Sequence, residues 1–444
     1  MSLSAETARR IQDLVAETQL AGRAPALVAG VVRDGTLAAF AAAGEEPVSD
    51  PDTQYRIGSI TKTMTAVLVL QLRDAGRLAL DDPLERHLPG TPVGSVTLRQ
   101  LLGHASGLQR EPEGEWWERS TGGDVTALLA GLTPEKLAYP PHHTYHYSNL
   151  AYGLLGAVLE RVAGRPWWEL LRARLLEPLG MTRTTYQAQE PFARAYLVHP
   201  WHGTLHEEPR TDTGAMAPAG QLWSTAADLA RWAAFLADPD PALLAPATLA
   251  EMCAPVVMSD LDSWTSGHGL GLELFRVGER VCVGHGGSMP GYVATLAVHR
   301  ASRTGVVAYA NAYGLRTGSI GALGTRLLST VLDAEPAPAP AGWRPTAATP
   351  PAEVAELTGR WWWMAREYEA GWDATTKELV ITVLRPAGAA PWRFVPEGPD
   401  RWRGRSGMND GEILAVRRDA AGRVEALDIA TFVFTRDPET YLTR

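Results

Sequence analysis

Ser59 and Lys62 stand three residues apart at the head of a long apolar run, "RIGSITKTMTAVLVLQLRDAG". Residues at i and i+3 of a helix share a face, so the lysine amine can reach the serine hydroxyl. Gly58 precedes Ser59, and a residue in a helix's first turn lies beside free backbone N–H groups and the positive dipole end, which favour a developing anion. The background makes the lysine conspicuous: among 41 basic residues there are three lysines, Lys62, Lys136 and Lys377. A site that keeps lysine where arginine does all else can be using the one thing arginine cannot do, which is to release a proton near neutral pH. Burial among apolar neighbours moves a lysine toward that range and makes it a base. The same pair also reads as an N-capping serine with a lysine whose stem runs along apolar surface.

Two further segments hold compatible chemistry. In "PPHHTYHYSNLAYGLLGAVLERVAG" a Pro-rich loop delivers Tyr147, Ser148 and Asn149 to the start of an amphipathic helix that ends at Gly164. Beside a lysine ammonium a phenolate is favoured, so Tyr147 can relay protons to and from a serine and its leaving group, while Asn149 offers an amide to Lys62 or to a substrate. A helix cap next to an amphipathic aromatic is the alternative reading. In "VCVGHGGSMPGYVATLAVHR" a short strand-like run ends in His285, Gly286 and Gly287, followed by a longer strand. Glycines there let another backbone come close, and an edge strand can pair with an extended peptide. Its N–H at Ser288, with that of Ser59, could form an oxyanion hole. Otherwise Gly-Gly is a turn and His285 lies on the surface.

These residues need a scaffold. Helical segments ("TMTAVLVLQLRDAG", "NLAYGLLGAVLERVAG", "TAADLARWAAFLAD") lie between strand-like ones at either end ("LVAGVVRDGTLAAFAAAG", "YVATLAVHRASRTGVVAYAN"). That order predicts an α+β domain over residues 1–333 whose antiparallel sheet joins N- and C-terminal strands. A Pro/Ala-rich linker is expected at 334–352, and the short β-branched and aromatic runs of 353–444 predict a small antiparallel β-barrel or sandwich. The start, "MSLSAETARRIQDLVAETQLAG", reads as a capped amphipathic helix rather than a secretory signal. A net charge of −9 with no basic run argues against nucleic acid and anionic membrane surfaces as partners, and no apolar run spans a bilayer. Two cysteines, Cys253 and Cys282, make no disulfide framework. The expected location is cytoplasmic.

Ser-x-x-Lys, Tyr-x-Asn and a His-x-Gly strand in this order resemble the serine β-lactamase and penicillin-binding-protein superfamily. The segments "DDPLERHLPG", "VTLRQLLGHASGL", "EPLGMTRTTY", "PAGQLWSTAADLARWAAFL" and "GHGLGLELF" also look like class C β-lactamase-type sequence, roughly over residues 5 to 333. The resemblance implies Ser59 as acylated nucleophile, Lys62 and Tyr147 as its acid/base partners, and Asn149 as a lysine and substrate contact. It further implies His285, Gly286 and Gly287 beside the pocket, with Ser59 and Ser288 N–H groups as the oxyanion hole. True β-lactamases usually carry Lys-Thr-Gly where this chain has His-Gly-Gly, which favours D-stereospecific peptidases, esterases and peptide cyclases. The layout, a catalytic domain followed by a lipocalin-like barrel, is similar to stand-alone penicillin-binding-protein-type thioesterases of nonribosomal peptide assembly. That implies a peptide acyl donor on a carrier-protein or CoA-type thioester, a carrier-protein contact, and release by the peptide's own amine; water as acceptor is the alternative. Arg436 is a candidate carboxylate or carbonyl contact, and the pairs Trp116-Trp117 and Trp167-Trp168 and the triplet Trp361-Trp362-Trp363 either line a peptide pocket or pack cores. A zinc enzyme would draw on His142, His143 and His146 or on His199, His202 and His206; no His-Glu-x-x-His helix exists, and no metal or cofactor is expected. A β-lactam sensor, acylated without turnover, is the non-enzymatic rival.

Overall fold

The strand "ALVAGVVR" is apolar on both faces, and the period-2 alternation of a strand must then bury it between two layers. In the computed structural model, which describes residues 3–44, 50–336, 348–385 and 388–440, this is β1 (Ala26–Arg33). Ala26, Val28 and Val32 enter one core, while Leu27, Ala29 and Val31 enter another. The chain divides into two compact units, Met1–Pro338 and Ala339–Arg444. The linker expected at 334–352 lies outside the described residues from 337 to 347.

The first unit is built on an antiparallel sheet. Its other strands are β2 (Thr36–Gly44), β3 (Val257–Met258), β4 (Ser266–His268), β5 (Glu273–Val277), β6 (Arg280–Met289), β7 (Tyr292–His299) and β8 (Thr304–Ala310). Their order is β2-β1-β8-β7-β6-β5-β4-β3. The N- and C-terminal strands thus meet at the β1–β8 pair, with Leu27 opposite Ala310 and Arg33 opposite Thr304.

Helices cover both faces. α1 (Ala5–Gly22) begins at Ser4, whose side chain accepts the Thr7 N–H. It packs Ile11, Leu14 and Val15 with Leu327, Leu328 and Val331 of the C-terminal helix Ile320–Ala334 in one core. The other face carries α2 (Thr61–Asp74), α3 (Asn149–Ala163) and α4 (Ala226–Ala237). α2 is buried on all sides from Thr61 to Leu70, so its polar side chains need partners inside the protein. Thr65 donates to Pro218 O at 2.9 Å, and Thr63 and Thr65 accept the indole N–H groups of Trp232 and Trp167 at 2.9 and 3.2 Å. Each fully buried Leu or Val here contributes about 1.5–3 kcal/mol. The first turn of α2, which carries Lys62, is therefore anchored on every side.

The second unit is a closed barrel of eight antiparallel strands, from Gly359–Trp363 to Phe432–Thr435, shut by the Trp362–Thr435 pairing. Closure leaves no free sheet edge. Trp361, Tyr368, Phe394, Trp402 and Phe434 fill its interior with aliphatic neighbours. Among the described residues no helix is long and apolar enough to cross a membrane.

Candidate active site

Ser59 sits in a 3-10 turn, Gly58–Ile60, that runs directly into α2. Gly58 holds φ at 50°, and a Cβ there would meet Ser288 N at 2.6 Å. Only glycine fits, because the backbone is left-handed and β6 presses against it. Gly287 answers from the strand: a Cβ on it would lie 2.0 Å from Ile57 O and 3.3 Å from Ser59 N. Two opposed glycines thus let the turn bearing Ser59 close onto the Gly287–Ser288 backbone. That approach brings the strand carrying the Ser288 amide against the turn carrying the Ser59 amide.

Lys62 is fully buried one turn further on. Its Nζ lies 2.9 Å from Ser59 Oγ, 2.7 Å from Asn149 Oδ1 and 2.7 Å from Ala219 O. Burial lowers its pKa to about 7, against the pull of the Glu118 and Glu111 carboxylates. A neutral amine has two N–H bonds and one lone pair. Ala219 O can only accept, and Asn149 Oδ1 can only accept while its amide keeps this orientation. The two N–H bonds therefore go to them, and the lone pair is left for the Ser59 hydroxyl. This is the arrangement a general base for Ser59 requires.

The orientation of Asn149 is itself fixed. It opens α3 behind the cap Ser148, whose hydroxyl accepts the Ala151 N–H at 3.1 Å. Its Nδ2 donates to both oxygens of Glu111 at 3.0 and 3.1 Å, and Trp117 Nε1 donates to the same carboxylate at 2.7 Å. An acceptor-only carboxylate on the Nδ2 side forces Oδ1 toward Lys62. Glu118, buried nearby, is pushed up to about 7 chiefly by burial and then by Glu111.

Tyr147 shares a side-chain hydrogen bond with Ser59, and Lys62 Nζ lies 5.1 Å from its ring centroid. The sequence suggested a favoured phenolate; the structure corrects this. Burial pushes the phenol well above its ordinary value, Glu273 pushes it further, and the bond to Ser59 offsets only part. That direction favours the protonated phenol, which can donate.

His285, Gly286, Gly287 and Ser288 lie on one continuous strand, β6, so the Gly-Gly pair is no turn; the chain reverses only after Met289. β6 is interior to the sheet rather than an edge strand, but its two sides differ. β7 pairs with it as far as Met289, whereas β5 stops at the Gly284–Glu273 pair. From Gly286 to Ser288 one side of β6 has no strand partner, and these residues are half-buried, whereas Cys282 to His285 before them are buried. His285 is buried and not on the surface: its Nδ1 donates to Gly286 O at 2.5 Å, and desolvation lowers its pKa.

Arg436 belongs to the second unit, where it packs its guanidinium 3.8 Å from the Trp361 ring centroid and donates to Arg360 O and Glu356 O at 3.0 and 2.7 Å. These local bonds account for its position in the barrel. Of the tryptophans, Trp167 and Trp361 are core residues, Trp117 holds Glu111, and Trp116 is exposed against Tyr313. Glu111, Glu118 and the Ala219 carbonyl were not singled out from sequence. Glu111 and Glu118 sit in "REPEGEWWERS", an acidic run that reads as solvated loop, and only the adjoining tryptophans hint at burial.

The Beta-lactamase family model matches residues 8–326, and a Domain of unknown function (DUF7586) matches residues 350–436. The D-alanyl-D-alanine-carboxypeptidase/endopeptidase AmpH of Escherichia coli (strain K12) is 32% identical over 51% of this chain and 61% of its own length. The chain spans about half to three fifths of the length of curated relatives it matches. Among solved structures, a D-stereospecific amidohydrolase from Streptomyces sp. is 30% identical with a TM-score of 0.60, covering 69% of this chain and 94% of that one. SurE, at 25% identity and a TM-score of 0.61, covers 97% of this chain and 99% of its own. With the family model matching well over half of its length, the chain belongs to the Beta-lactamase family.

Proposed function

We propose that this protein takes a peptide acyl group from a thioester onto Ser59 and releases it by attack of the peptide's own amine, closing a macrocycle. The observation that carries the acyl-enzyme part is the set of contacts at Lys62, which in the neutral amine leaves the lone pair for Ser59 Oγ. Lys62 accepts the hydroxyl proton as Ser59 Oγ bonds to the carbonyl carbon. The oxyanion is met by the N–H groups of Ser59 and Ser288. The C–S bond breaks, the thiolate leaves with a proton delivered through Tyr147, and the acyl chain rests along the unpaired side of β6 at Gly286 and Gly287. The incoming amine then loses its proton to the same relay, and Ser59 regains it as the ester C–O bond breaks.

Ring closure rests on layout. SurE matches nearly the whole of this chain, barrel included, and a second SurE structure was determined with D-Leu. This supports an acyl donor ending in a D-residue, held by a carrier-protein or CoA-type thioester. Hydrolysis is the second reading, favoured by the 30% identity to a D-stereospecific amidohydrolase and the likeness to AmpH. The test is product mass after incubation with a linear peptide thioester bearing a D-residue at its acyl end. Ser59-dependent release of peptide lighter than the free acid by one water supports cyclisation; free acid alone replaces it with the hydrolytic reading.

A further inference from the structure

Behind Tyr147 lies a buried cluster that the acyl chemistry does not use. His104, His268 and His285 are at most 2% exposed. One ring nitrogen from each lies within 4.8 Å of the other two. Four of their six nitrogens, His104 Nε2, both of His268 and His285 Nε2, have no hydrogen-bond partner among the protein's atoms. A buried polar atom left so costs about 1–3 kcal/mol, and one nitrogen from each ring within 4.8 Å of the other two calls for an occupant that links the three rings.

Hydrogen bonding on the outer side of each ring defines what that occupant must be. His285 donates Nδ1–H to Gly286 O, which leaves a lone pair on Nε2; a carbonyl behind the ring is how proteins orient a metal-ligating histidine. His104 Nδ1 accepts the Ser148 N–H at 3.1 Å, so its proton is on Nε2 and that atom donates inward. His268 has no outer partner, and either nitrogen can present a lone pair. The pocket therefore offers two imidazole lone pairs and one N–H, all shielded from bulk water.

We propose that this cluster holds one divalent cation of the zinc type, ligated by His268 and His285, with two waters completing four-coordination and His104 Nε2–H donating to one of them. Neutral imidazole suits borderline metals such as zinc, cobalt and nickel and not calcium or magnesium. Bonds of about 2.0–2.1 Å require the ligating nitrogens, now within 4.8 Å of one another, to draw together around the ion. The site differs from the histidine groups suggested by sequence: His142 and His143 are exposed, and His199, His202 and His206 belong to an exposed hairpin around Tyr196–Val198 and Leu205–Glu207.

The probe is Zn2+ added to chelator-stripped full-length protein in competition with a chromophoric chelator. One equivalent is expected to bind, at least about tenfold more weakly in His268→Gln and unchanged in a His199→Ala/His202→Ala/His206→Ala variant. Co2+ on the wild type, which needs no variant to fold, is expected to give the intense visible bands of four-coordinate cobalt and to raise the melting temperature. Ser59→Ala should bind equally well, which separates this site from the acyl chemistry. Absence of a stoichiometric ion, or binding that His268→Gln leaves intact while the hairpin variant loses it, overturns the proposal and leaves the cluster a packing of neutral rings.

Discussion

Lys62 illustrates how a residue's role follows from its neighbours rather than its type. Its depressed pKa means that between about 7 and 10.5 the unfolded chain holds a proton that the folded chain has released. Stability therefore rises with pH across that window, and burial of this amine is a cost borne in the folded state. The acidic partners limit that cost. Glu111 raises the Lys62 pKa and also fixes Asn149, so Glu111→Gln is expected to lower kcat/KM by about 10- to 100-fold, the worth of a charged hydrogen bond. Its acid limb should move to lower pH because a carboxylate that favours the ammonium has gone. An unchanged limb with only lower thermal stability would reduce Glu111 to a structural residue. The Ser59–Lys62 pair was readable because i,i+3 geometry is local. Glu111 and the His104, His268 and His285 cluster were not, since chain folding, not spacing, brings them together. The Tyr147 phenolate was misjudged because sequence shows its cationic neighbour but not its burial.

At the level of elements, the site depends on how closely β6 approaches the turn before α2. The two glycines in the third motif are not equivalent there. A Cβ on Gly287 would collide with Ile57 O at 2.0 Å, whereas a Cβ on Gly286 meets nothing within 4 Å. Gly287→Ala should push the strand away, costing about 1–3 kcal/mol of stability and abolishing acylation, while Gly286→Ala should melt like the wild type. Equal melting temperatures and equal acylation rates for the two variants would refute the close approach. Sequence periodicity identified the helices and the terminal strands because their apolar patterns are long. It read a strand-like run through Gly286 and Gly287 but left a Gly-Gly turn open, because Gly-Gly carries no side-chain pattern; pairing with β7 through Met289 decides its conformation.

At the scale of the whole molecule, an antiparallel sheet joining N- and C-terminal strands and a small antiparallel β-domain after it were foreshadowed by the order of strand and helix patterns, but neither the helices on both faces nor the eight strands were. What followed from no local pattern was the closure of the barrel through Trp362 and Thr435, a pairing between residues more than seventy positions apart. Both units are present in the SurE likeness, yet the claim on which every proposed activity rests is narrower: Ser59 becomes acylated with Lys62 as its base. The most direct measurement is rapid-quench mass spectrometry of the intact protein mixed with a D-terminated peptide thioester, from about pH 5 to about pH 9. The base must be unprotonated, so a covalent adduct on Ser59 should form faster as pH rises through about 7 and level off above it. Lys62→Arg, charged at every pH in that range, should slow it by about 10²- to 10⁴-fold. An adduct that persists in Ser59→Ala, or a rate indifferent to pH and to Lys62→Arg, would contradict the account.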